Sequence, residues 1–171
     1  PDHIAVIDAH VRDQLGELGA PVERLRIVGN PAFDELAGVA EAAEVEPGAV
    51  LWVGEGLATV VWPGGERPSS LAHIDEEATF KSLVRALEGL PVGERPAKLW
   101  IAPHPREDDT TYEGWLQGSE LDPIEVSVVR GGGVRWAARA GVVVGMSSML
   151  LVEAARMGVP TVSLQLHAEE V

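Results

Sequence analysis

A chain of 171 residues with 46% apolar side chains is long enough for one domain with a real core and too apolar to be a disordered segment. The absence of cysteine excludes disulfides, thiolate metal sites and a cysteine nucleophile. Its 27 acidic against 13 basic residues, a net charge of −14, repel nucleic acid and acidic membrane surfaces.

The first residue is Pro1 rather than a methionine, so the chain is expected to be a piece of a longer protein. No apolar run approaches the roughly 20 residues that cross a bilayer, and no signal-peptide pattern opens the chain, so a cytoplasmic location is expected. Residues 3–7 read as a strand, and Asp8 or Ala9 begins a helix that Gly19 and Pro21 end. Residues 25–28 form a further strand, closed by Gly29-Asn30-Pro31, whose residue types also suit a plain turn. The alanine- and glutamate-rich stretch 37–45 reads as a connecting helix.

Pro47-Gly48 opens a new unit, in which residues 50–53 are a strand followed by Gly54-Glu55-Gly56. Glycines at such a strand end permit close backbone approach to a ligand. The dinucleotide fingerprint fails, because Thr59 stands at the third glycine's place and the next strand ends at Ala102 without a ribose-binding acid. No NAD and no other cofactor is expected. Residues 57–74 read as a long surface loop, broken by Pro63-Gly64-Gly65 and Pro68. His73, Asp75, Glu76 and Glu77 have metal-ligand chemistry, but first-turn acids of a helix over 76–90 explain the last of them more simply, so no metal is expected.

A strand over 98–102 runs into Pro103-His104-Pro105-Arg106-Glu107, at the carboxyl end where open α/β sheets bind ligands. His104 and Arg106 suit a pyrophosphate; a rigid proline turn with surface polar groups is the other reading. Residues 110–118 form a short helix with Tyr112 and Trp115 packing inward, and 124–129 a strand. Arg130-Gly131-Gly132-Gly133 then leaves backbone open to a flat base, or serves as a flexible turn. A brief helix over 134–140 follows.

The glycine-bounded, β-branched run 141–146 reads as a strand buried on both faces. Ser147 and Ser148 are N-cap types, and Leu150, Ala154 and Met157 recur at helical spacing up to Gly158 and Pro160. Residues 161–164 read as a second buried strand. A strand, two hydroxyls and a helix start make an anion site, most simply for phosphate. Glu153, one turn on, either accepts from a ribose diol or is an exposed acid favoured by the helix dipole. The alternation of strands and helices implies a parallel sheet with helices on both faces.

Ser147-Ser148, followed by Glu153-Ala154-Ala155 and Gly158-Val159-Pro160, resembles the donor-binding signature of the two-lobed GT-B glycosyltransferase fold. Related forms occur in UDP-N-acetylglucosamine 2-epimerases and in capsule and teichoic-acid (CDP-glycerol) transferases. The strand–helix–strand run ending in Gly29-Asn30-Pro31 resembles the crossing between the two lobes. His104-Pro105 resembles the donor-phosphate motif of bacterial sialyl-, polysialyl- and glycerophosphotransferases.

The resemblance implies a Rossmann-like donor lobe over 47–171, with 1–46 the end of a first lobe and its connection. It implies a UDP- or CDP-linked donor and a transferase of cell-surface polysaccharide synthesis. Ser147 and Ser148 would hold phosphate, His104 and Arg106 clamp it, Glu153 take the ribose, and residues near Arg130–Gly133, Gly131 among them, meet the base, while Gly54 and Gly56 would let the backbone approach the ligand closely. The general base would belong to the missing first lobe, so this piece is expected to bind without transfer. An epimerase-like domain is an alternative, against which Gly54-Glu55-Gly56-Leu57 stands where that family places a His-Arg-Arg type motif. A non-catalytic nucleotide-sensing or partner-binding module is another.

Overall fold

The computed structural model describes residues 2–57, 60 and 75–166. The expected loop over 57–74, with His73, lies almost wholly outside the described residues, as does His167. The chain divides into two units, Pro1–Gly38 and Val39–Val171.

In the first unit, β1 (Ile4–Val6) pairs in parallel with β2 (Leu25–Ile27), and α1 (Ala9–Glu17) is the crossover between them. Asp8 caps α1, its carboxylate accepting from the Val11 N–H at 2.8 Å. Gly19, at φ 91°, supplies the left-handed residue that ends the helix turn.

The second unit is a five-stranded parallel sheet in the order β5-β4-β3-β6-β7. Its strands are β3 (Glu46–Val53), β4 (Lys98–Ala102), β5 (Glu125–Val128), β6 (Ala140–Gly145) and β7 (Thr161–Ser163). The helices are α3 (Glu76–Glu88), α4 (Asp109–Trp115), α5 (Gly133–Arg139) and α6 (Met149–Arg156). The connecting helix α2 (Leu36–Glu41) is shorter than the sequence suggests, and β3 starts four residues early. Pro47 favours the early strand start, since the residue before a proline, Glu46, is driven to extended backbone. The β3–β6 register shifts between Glu46 and Val50, which accommodates a proline that cannot donate to the ladder.

Residues of β3 alternate between two cores. Val50 and Trp52 point toward α3 and α4, packing with Phe80, Val84 and Tyr112. Ala49, Leu51 and Val53 face α5 and α6, against Ala137, Leu151 and Ala154. Helix α3 buries Phe80, Leu83, Val84 and Leu87, an i, i+3, i+4, i+7 stripe, and Asp75 caps it by accepting from the Ala78 N–H at 3.0 Å. Each such side chain contributes about 1.5–3 kcal/mol on burial. Phe80 stands edge-on to Trp52 (5.3 Å) and Tyr112 (5.2 Å). On the other face Trp100 and Trp136 meet at 5.1 Å, and the Arg139 guanidinium lies over both rings while donating to Glu46.

One expectation needs correction. The strand at 161–164 is not buried on both faces: β7 is the edge of the sheet, and Val162 is 46% exposed. In α6 the buried pair is Leu151 and Ala154, while Leu150 and Met157 are half-buried. Leu150 and Met157 pack against the same core as Ala154, so the apolar stripe holds as read, with Leu151 added to it.

From β3 the chain steps outward through α3, β4, α4 and β5, then returns to lay β6 on the other side of β3. The loops leaving β3 and β6 therefore diverge to opposite faces. That switch point opens a crevice at the carboxyl edge, where open α/β sheets take their ligands.

Candidate functional site

The loop after β3 is pinned from below. Glu76, only 2% exposed, accepts from the Glu55 N–H at 2.7 Å through Oε1 and from the Leu57 N–H at 2.8 Å through Oε2. Its place at the start of α3 adds the favourable helix dipole. What the sequence presents as a first-turn helix acid is thus a buried clamp on the Gly54–Leu57 backbone.

The loop after β4 is tied to the same point. Glu107, 4% exposed, accepts from the His104 N–H at 2.8 Å through Oε2. The Tyr112 hydroxyl stands 3.1 Å from Glu76 Oε1 and 3.2 Å from Glu107 Oε2, and accepts from the Trp52 indole N–H at 3.3 Å. One hydroxyl hydrogen cannot serve two carboxylates. Burial pushes the Glu107 carboxyl above its ordinary range; the His104 amide opposes this, and the nearby Glu76 charge adds to it. Burial thus favours the protonated form of Glu107 over its charged form. Burial and the Glu76 charge also drive the Tyr112 phenol upward, so it stays protonated. Glu107 Oε1 is buried without a hydrogen-bond partner among the described residues.

The two loop glycines are explained by this network. A Cβ on Gly54 would run into the Tyr112 hydroxyl and stand 2.7 Å from Glu107 Oε2. Gly56, at φ +71°, would place a Cβ 2.9 Å from Nδ1 of His104. The close approach that the glycines permit is, in this structure, to the chain's own polar groups.

His104 is half-buried, and its Nδ1 accepts from the Arg106 backbone N–H (3.2 Å) and Nε–H (3.4 Å). That assigns the ring proton to Nε2, which becomes the donor left for a ligand. Arg106 itself is exposed. Arg130 donates from Nη2 to the Glu107 carbonyl at 2.7 Å, joining the loops after β5 and β4. Gly131 and Gly132 follow with left-handed backbone, φ 67° and 60°, and a Cβ on Gly131 would meet only open space.

After β6, Ser148 caps α6 by accepting from the Leu150 N–H at 3.3 Å. Ser147 gives both its donors to Glu55: the backbone N–H to Oε1, and the hydroxyl to Oε2 at 2.9 Å. Glu153 is half-buried further along the helix.

A cavity of about 230 Å³ lies over these strand ends, lined by Gly54, His104, Gly131, Gly132, Trp136 and Ser148 among others. It gathers sequence-predicted residues from four loops. Gly56 stands behind the His104 ring, and Arg106, Arg130, Ser147 and Glu153 do not line the cavity. A larger groove, about 460 Å³, lies at the amino end of the sheet beside Glu88 and Arg95. There Arg95 donates to the carbonyls of Leu90, Glu88 and Glu120, a structural tie away from the ligand edge. Among the described residues no group of His, Asp and Glu is arranged to hold a metal ion.

Sequence reasoning missed Glu55, Glu76 and Glu107. Only one signal pointed at them: an inward-packing Tyr112 must find a polar partner for its hydroxyl.

No protein-family model and no curated protein matches the sequence. Among solved structures, UDP-GlcNAc 2-epimerase from Methanocaldococcus jannaschii is similar over 95% of this chain, with a TM-score of 0.62 and 14% identity. This chain spans 46% of that one. At that identity the likeness is one of fold: an α/β domain with parallel strands flanked by helices, consistent with a Rossmann-like GT-B lobe.

Proposed function

We propose that this chain is the donor-binding part of a GT-B-type transferase and takes a UDP- or CDP-linked donor at the carboxyl edge of its sheet. The observation that carries this reading is the cavity at the switch point, where His104, the Gly131–Gly132 backbone and Ser148 converge. Nε2–H of His104 is the one ring donor left over, and the left-handed glycines leave room for a flat or charged group. Donors fixed in place before the ligand arrives stabilise the negative charge that grows on a departing nucleotide. Such chemistry joins hard-to-form sugar linkages of cell-surface polymers, inside the cell, with the acceptor's base supplied by another lobe.

Calorimetry with UDP and CDP on the wild type, His104→Ala and Ser148→Ala tests the assignment. Each substitution is expected to weaken binding at least tenfold, about 1.4 kcal/mol. Binding of either nucleotide that is indifferent to both substitutions would remove this cavity as its site. The isolated chain is expected to bind donor without consuming it.

A further inference from the structure

The groups that Ser147 offers at the switch point are already engaged by a carboxylate. Its N–H and its hydroxyl both go to Glu55, one to each oxygen. Glu55 reaches across from the loop after β3, whose backbone Glu76 fixes through the Glu55 N–H at 2.7 Å. Among the described residues the Glu55 side chain has no basic partner; its bonds are those to Ser147. A charged acceptor on two donors is the stronger kind of hydrogen bond, and a phosphate oxygen cannot share those donors with a carboxylate at contact distance.

We infer that Glu55 is a specificity-determining residue of this site: it closes the Ser147 position to anions and leaves it open to a hydroxyl-bearing group. This rests on the nucleotide-site reading above. A donor's phosphates are confined to the His104–Ser148 cavity, and the moiety beside Ser147 is a polyol, which donates to Glu55 where a phosphate is repelled. The sequence alone assigns Ser147 to phosphate; the Glu55 contact reassigns it.

Glu55→Gln keeps the shape of the side chain and removes its charge, so the full chain should gain affinity for anions without a change of fold. Titration calorimetry with pyrophosphate and with UDP is performed on the wild type, Glu55→Gln and Glu55→Gln/Ser147→Ala. Circular dichroism checks the fold, and Glu55→Ala replaces Glu55→Gln if the latter is misfolded. Pyrophosphate is expected to bind Glu55→Gln at least tenfold tighter than wild type, and the added Ser147→Ala to cancel the gain. UDP binding of equal strength in wild type and Glu55→Gln, with pyrophosphate unchanged as well, overturns the role of Glu55 while the nucleotide reading stands. Pyrophosphate binding confined to Glu55→Gln, with UDP bound by no variant, supports the closure and overturns the nucleotide reading. Binding of neither probe to any variant overturns both.

Discussion

Trp52 and Tyr112, sixty residues apart in the chain, meet where the indole N–H donates to the phenolic oxygen at 3.3 Å. Both side chains are fully buried, so the bond lies between the central strand and the helix that follows β4. Tyr112→Phe removes the hydroxyl from three partners at once: Trp52, Glu76 and Glu107. Leaving buried polar groups unpaired costs about 1–3 kcal/mol. Urea unfolding should show a loss in that range, and a stability equal to wild type would mean that the network adds nothing.

Gly54→Ala should be more damaging than Gly56→Ala. At Gly54 the added methyl meets the Tyr112 hydroxyl and Glu107, which are held from several sides and cannot retreat. Overpacking of this kind costs about 1–3 kcal/mol and more where the neighbours are fixed. At Gly56 the neighbour is the half-buried His104 ring, which can turn away, although φ +71° adds strain. Thermal melts of the two variants give the order, and the reverse order would contradict the tightness assigned to the Tyr112 network.

Glu107 makes a signed prediction about pH. Its carboxyl is raised above the ordinary 4.5, chiefly by burial, so the folded chain holds this proton more tightly than the unfolded chain does. Stability from this group therefore falls as pH climbs from the ordinary value through the raised one, and is level beyond it. Glu107→Gln has no such slope. The difference in unfolding free energy, variant minus wild type, should rise with pH across that window. Denaturant titrations at several pH values check this, and a difference independent of pH removes the buried-acid assignment.

A net charge of −14 repels itself, and salt screens it. Melting temperature is expected to rise with added potassium chloride. A flat or falling response would mean that local pairs, such as Glu46 with Lys98 and Arg139, already balance the excess.

Strand and helix order was legible because it rests on local signals. Val50–Val53 is apolar and the β6 run apolar and β-branched, Asp8 and Asp75 are caps, and Gly158 with Pro160 marks a stop. The early start of β3 was not, since a strand that carries Pro47 reads as a break until its own bulge against β6 is seen. That His104, Gly131 and Ser148 gather at one edge was legible for the same topological reason: each follows a strand of one parallel sheet. The acids were not. Glu76 beside Glu77 looks like any pair at a helix start, and only tertiary packing decides that Glu76 turns inward while Glu77 pairs with Lys81 at 2.6 Å. Glu55 and Ser147 are separated by 92 positions, and no periodicity joins them.

The pairing of Trp136 with Trp100 gives the molecule an optical reporter. Trp136 forms part of the cavity wall, whereas Trp52 and Trp115 belong to the core on the opposite face of the sheet. A guest in the cavity displaces water from one indole and leaves the other face untouched. Among the described residues it is the Trp136 emission colour and its access to a dissolved quencher that would register occupancy, without a label; Trp62 lies outside the described residues.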